Sequence, residues 1–221
     1  MIVDRFKSKD KSLPKEINIS ELLSDNRKLR LFLSTAAHYN AQSIEELQKY
    51  FSLESRPNDK IFLRRGKLSR KEYISAMFGA CPVPMELNKG IKTDDLYAAY
   101  DFLNKTMLIW PGNDYNDWGV YDVGRNVAFA YLDINYPNEQ MSLDLKAFLC
   151  DCAGYMLAKK CGCKISHDTF PYEIPEELLH KSPEEVKQDF DSLLKCCKEI
   201  SDQVEVHLVI RDFHRVRGYE L

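Results

Sequence analysis

The sequence lacks the motifs that announce a familiar reaction. It has no His-Glu-x-x-His, which excludes a zinc peptidase of that type. It also has no Gly-x-x-x-x-Gly-Lys-Ser/Thr, no Gly-x-Gly-x-x-Gly and no Gly-x-Ser-x-Gly, so the common phosphate cradles and the nucleophile elbow are missing. No apolar run approaches the roughly 18 residues a spanning helix needs, and the opening Met-Ile-Val-Asp-Arg-Phe-Lys is not a signal peptide, so no membrane partner is expected. Charge of one sign is scarce as well. A formal net charge of −3 over 221 residues gives no global attraction to nucleic acid or anionic lipid, and only a local basic patch can supply one. Internal repeats and low-complexity stretches are absent.

What is present is an ordinary globular composition, 44% hydrophobic, which argues against disorder. Seven cysteines are an odd number for a secreted disulfide framework, and several fall on helix faces. Free thiols in a reducing cytoplasm are the expectation. Cys150-Asp-Cys152 and Cys161-Gly-Cys163 are poor zinc chelators, because one intervening residue on a helix turns two side chains about 200° apart.

The best-specified stretch is 141–172. Ser142 is a natural N-cap with Asp144 in the first turn, and Leu145, Phe148, Leu149, Cys152, Met156 and Leu157 share one helical face. Lys159, Lys160 and then Gly162 mark its end. Upstream, residues 1–17 read as a loose arm or an edge strand. The stripe Leu29, Phe32, Leu33, Ala36 and Ala37 predicts a helix, and Ser43/Glu46 and Ser69/Glu72 are capping boxes opening two more. The second of these stops near Gly79, ahead of the bend Cys81-Pro-Val-Pro84. A short strand is expected over Ile61–Leu63, and a helix capped by Thr93 runs to about Asn104.

Near Thr106 the period shifts towards two. Thr106–Trp110 predicts a strand, Trp118–Val123 and Val127–Ile134 a hairpin turning at Gly124-Arg-Asn126, and Lys164–Thr169 another strand. Ser182-Pro183-Glu184-Glu185 opens a helix with an apolar face from Val186 to Ile200, and the alternation over Val204–Phe213 predicts a last strand. The expected architecture is α+β, with a helical N-terminal half and a small mixed β-sheet with packed helices in the C-terminal half. It divides into a mostly helical region, 1–105, and a mixed region, 106–221, or forms one continuous domain.

Three constellations carry chemistry. The basic run Lys60, Arg64, Arg65, Lys67, Arg70 and Lys71, with Phe62 and Tyr73 beside it, suits single-stranded nucleic acid through phosphate neutralisation and base stacking; a solvated charged face is the plain alternative. Asp114, Asp117 and Asp133 would meet at the open end of the expected hairpin and could hold Mg²⁺ or Mn²⁺, with His207 assisting proton transfer in a hydrolase or nuclease. A solvated Asn/Asp-rich turn competes with that reading. Asp151-Cys152-Ala153-Gly154 with His207 resembles the nucleophile segment of cell-wall cysteine peptidases, but Cys152 lies well inside a helix, where the dipole cannot activate it.

Cys150–Tyr172 resembles the C-terminal helix and strand of the antirestriction-type zincin-like metallopeptidases of conjugative plasmids. The features that match are the helix ending at Gly162, Phe170-Pro171-Tyr172 and the helix from Ser182, over residues 142–203. The zinc motif is missing and the expected glutamate ligand falls near Leu149. The resemblance therefore implies a non-catalytic domain in a mobile-element protein. Together these readings predict a non-catalytic, cytoplasmic binding protein without a cofactor, an accessory or counter-defence factor contacting nucleic acid or a host protein. The alternative is the metal-dependent hydrolase.

Overall fold

The structure, a computed structural model, describes residues 17, 19–52, 68–88, 90, 96–110, 114–137, 141–165 and 173–217. The expected arm over 1–17, the strand at Ile61–Leu63, the cap at Thr93 and Phe170-Pro171-Tyr172 lie wholly or almost wholly outside those residues. So do Lys60, Arg64, Arg65 and Lys67.

The described residues up to Gly79 are mainly helical because their caps and apolar stripes agree. Helix α1 spans Ile19–Leu23, α2 Asn26–Tyr39, α3 Ile44–Ser52 and α4 Arg70–Gly79. Asp25 caps α2 by accepting from the Arg27 amide at 2.7 Å, and Asn40, at φ 53°, closes it in the left-handed conformation. Leu29, Phe32, Leu33, Ala36 and Ala37 are all buried. At α4, Ser69 and Glu72 form the full reciprocal box. At α3 the box is slipped by one residue. Ser43 accepts from the Glu46 amide at 3.1 Å, while the Glu46 carboxylate takes the amide of Gln42 at 2.9 Å.

Between α4 and the next helix lies a three-stranded sheet in the order β1-β3-β2, with β1 at Met85–Leu87, β2 at Ala98–Asp101 and β3 at Thr106–Ile109. β1 runs parallel to β3, with Met85 opposite Met107. β2 is antiparallel to it, with Ala98 opposite Ile109. The strand expected from Thr106 is present, but the helix expected to reach Asn104 is replaced from Ala98 onwards by β2 and a tight turn. The Asp101 carboxylate makes that turn by accepting the amides of Leu103 and Asn104, at 2.9 and 3.0 Å, and Lys105 adopts φ 51°.

The larger correction concerns residues 117–134. They form no hairpin: Asp117–Asn135 is one helix, α5, capped by Asn116, whose side chain accepts from the Gly119 amide at 2.8 Å. Two features make a helix the better solution. Asp122 and Asn126, one turn apart, present their oxygens to the outer amides of strand β2. Asp122 accepts from Tyr97 and Ala98 at 2.9 and 3.2 Å, and Asn126 from Tyr100 at 3.1 Å. The polar pair thus satisfies a sheet edge that would otherwise be buried unpaired. Gly124, meanwhile, lets α5 close on helix α6, Leu143–Lys160, at Gly154. A Cβ on Gly154 would stand 2.8 Å from the Tyr121 carbonyl oxygen.

α6 forms as the sequence predicts, with Ser142 accepting from the Leu145 amide at 3.1 Å and Gly162 at φ 71° after its end. Lys164 and Ile165, the described part of the expected strand there, are irregular. The short α7, Glu176–His180, leads into α8, Pro183–Arg217. Ser182 and Glu185 cap α8 reciprocally. The strand expected over Val204–Phe213 is the second half of this helix. Val204 and Leu208, four residues apart, continue the buried face of Val186, Phe190, Leu193, Cys197 and Ile200. The fold is α+β, with its sheet between α4 and α5 rather than in the C-terminal half. One apolar cluster runs from Leu29 and Met77 through Met107 and Val120 to Leu149 and Leu194, drawing on residues from both sides of position 105. Among the described residues no helix is long and apolar enough to cross a membrane. All seven cysteines are free thiols.

Candidate nucleic-acid interface

Of the basic run, Arg70 and Lys71 belong to the described residues, in the first turn of α4. Arg70 is a brace. Its Nε pairs with the Asp117 carboxylate at the start of α5, and its terminal nitrogens donate to the carbonyl oxygens of Cys161 at 2.9 Å and Gly162 at 3.3 Å, just past the end of α6. A guanidinium suits the negative end of α6 and a carboxylate the positive end of α5, so one ion pair satisfies both helix dipoles. The Asp117 carboxylate also accepts the Lys164 amide at 2.7 Å. Arg70 therefore holds a corner together through its own partners.

That corner carries aromatic and cationic groups in alternation. The exposed Lys71 ammonium lies over the Tyr115 ring, 5.7 Å from its centroid, and Tyr115 is itself exposed. One turn further on, the Trp118 ring stacks on Tyr121 at 4.9 Å with an interplanar angle of 29°. The Tyr121 hydroxyl donates to Asp151 at 3.1 Å, and Arg125 pairs with the same carboxylate. Burial, reinforced by Asp151, pushes the Tyr121 hydroxyl far above the ordinary tyrosine range, so it stays a neutral donor. On α6, Lys159 lies over the Tyr155 ring at 5.1 Å, and the Tyr155 hydroxyl meets Ser34 of α2 at 3.1 Å. The segment bearing Tyr115 is tied down by Tyr97, whose hydroxyl donates to the Asp114 carbonyl oxygen and whose ring covers Gly119 closely enough to exclude a Cβ.

The alternative cation site does not assemble. Asp117 and Asp133 stand at opposite ends of α5, 16 residues apart in sequence and so about 24 Å apart along the axis. The expected convergence needed a hairpin, and the chain is a helix. Asp133 is instead engaged by the Tyr100 hydroxyl at 2.7 Å, by Lys146 at 3.3 Å and by Lys105. Burial works to raise its carboxyl, but the hydrogen bonds from Lys105, Tyr100 and Lys146 outweigh it and leave the group below the usual range. His207 sits on α8 against Gly79, where an added Cβ would lie 2.7 Å from its Nδ1. No group of three or more His, Cys, Asp or Glu side chains among the described residues is arranged to hold a metal ion. The resemblance at Cys152 fares no better: the thiol is fully buried, and burial raises its pKa well above the ordinary value, the reverse of activation.

Sequence reasoning overlooked Tyr115, Trp118 and Tyr121 as a set. Their spacing of three residues was the available signal, hidden by the expectation of strands there. No family model, curated protein or solved structure matches this chain.

Proposed function

We propose that this protein binds single-stranded nucleic acid without catalysing a reaction on it, through the corner where the start of α4, the start of α5 and the end of α6 meet. The observation that carries this reading is the adjacency of the exposed Lys71–Tyr115 pair to the half-buried Trp118, which stacks on the buried Tyr121, on a scaffold locked by Arg70 and Asp117. Stacking platforms flanked by lysines are what a flexible strand uses. Each stacked base contributes about 1–3 kcal/mol, whatever its identity, and each phosphate neutralised releases counterions. Lys159 and the exposed Lys164 extend the cationic side, while Asp117 and Asp151 are occupied by arginines. The overall charge of −3 makes the attraction local to this corner.

The test is anisotropy of a labelled single-stranded 15-mer across a salt series. Trp118→Ala should weaken binding about 10-fold at every salt concentration. Lys71→Ala should weaken it uniformly across sequences and make its salt dependence shallower. Arg64→Ala with Arg65→Ala asks whether the interface continues along the basic run. Binding indifferent to Trp118 and Lys71 would sink this reading and point to a host protein instead. A cytoplasmic setting is supported by the seven free thiols. The role as an accessory or counter-defence factor of a mobile element is supported by the sequence resemblance alone.

A further inference from the structure

We infer that the outer edge of β1 takes up an extended peptide segment of alternating apolar, basic and apolar side chains, added antiparallel as a fourth strand. The backbone of β1 defines the site. The Pro84 carbonyl oxygen accepts from the Met107 amide, and the Asn88 amide donates to the Ile109 carbonyl oxygen, each at 2.8 Å. With Glu86 opposite Leu108 in this parallel ladder, residues 84, 86 and 88 turn their backbone groups towards β3. The alternation of a strand then turns the amides and carbonyls of Met85 and Leu87 outwards. Among the described residues no backbone group or strand meets them there. The opposite edge of the sheet, at β2, is closed by Asp122 and Asn126. All three residues of β1 are exposed, Met85 at 47% and Leu87 at 63%, so the strand is open to solvent.

The occupant follows from that edge. Donors and acceptors repeating every second residue are matched by another extended backbone, which is how a peptide adds to a sheet. The side chains then specify its sequence. Met85 lies opposite Met107 and Leu87 opposite Ile109, so all four share the face of the sheet that carries the buried Met107. Residues of an added strand opposite Met85 and Leu87 fall on that same face, where apolar side chains cover the two exposed ones. The residue between them stands opposite the exposed Glu86 on the other face, where a lysine or arginine is favoured. A second copy of β1 fits less well. Twofold antiparallel pairing centred on Glu86 sets that carboxylate against its own copy, and like charges directly opposite are destabilising.

Backbone amide NMR of the full chain, titrated to about 2 mM with the end-capped peptide Thr-Val-Lys-Val-Thr, tests this. Shifts should be largest at the Met85 and Leu87 amides, and hydrogen exchange there should slow. Thr-Val-Glu-Val-Thr should bind about 5-fold more weakly, and Glu86→Lys should reverse that preference. The lysine peptide N-methylated at both valines should not bind, because it cannot donate to the edge while the protein itself is unaltered. Circular dichroism establishes that Glu86→Lys retains the fold, which its exposed position allows. No response at β1, an equal response to the N-methylated peptide, or a preference indifferent to Glu86→Lys would each overturn the inference. So would shifts at Met85 and Leu87 that follow protein concentration without peptide, which would make a second copy the occupant.

Discussion

Lys160 is 4% exposed, and its ammonium donates to the Ser201 hydroxyl at 2.6 Å and to the Asn40 side-chain oxygen. Burial without a carboxylate at hydrogen-bonding distance lowers its pKa to about 8. The folded state therefore releases this proton near pH 8, whereas the unfolded chain holds it to about pH 10.5. Between those values the unfolded state binds more protons, so this group's contribution to stability rises with pH and is lost as pH falls through 8. Measured by urea unfolding, the wild type should gain about 2 kcal/mol on Lys160→Met between pH 7 and pH 10. A constant gap between the two proteins would show that the ammonium is not desolvated. Single residues were legible where the chemistry is local. Ser69, Ser142 and Ser182 cap as expected, and Gly162 takes its positive φ. Lys160 looked like a last-turn cation, and only packing against Asn40 and Ser201 makes it a buried one.

At the level of elements, the decisive partnership is α5 against β2. Asp122 is 4% exposed, and burial raises its carboxyl, opposed by the amides of Tyr97 and Ala98. Asp122→Ala leaves those two amides facing a side chain that cannot accept. It should cost about 2–3 kcal/mol in urea unfolding and speed hydrogen exchange at β2 before other elements. Unchanged exchange at Ala98 would mean that the edge is satisfied in another way. The same partnership explains the misreadings. Gly124-Arg-Asn126 has the composition of a hairpin turn, but Asn126 is one turn from Asp122 and both meet the strand edge. Val204, Val206, Leu208 and Ile210 alternate like a strand, yet Val204 and Leu208 share a helical face that carries on from Ile200. Short runs rich in β-branched residues fit either period, and the neighbour available for packing selects between them.

For the whole molecule, the thiols report the core. Cys150, Cys152, Cys161, Cys163, Cys196 and Cys197 are buried, and Cys81 is half-buried. Burial pushes Cys163 and Cys197 up to about 12 and also raises the Cys81 thiol. A colourimetric disulfide reagent should therefore label about one thiol quickly in the native protein, a phase that Cys81→Ser removes, and the other six only with global unfolding. Several fast thiols would contradict a single closed core. The buried faces, the capped helix starts and the unpaired cysteines follow from the sequence, since each depends on residues within a turn or two of one another. Which strand edge Asp122 meets, whether Asp117 and Asp133 come together, and which groups Arg70 pairs with were decided by tertiary structure. Each of those outcomes rests on a partner 24 or more residues away, or on the form of the segment between the two groups, and no local spacing encodes either.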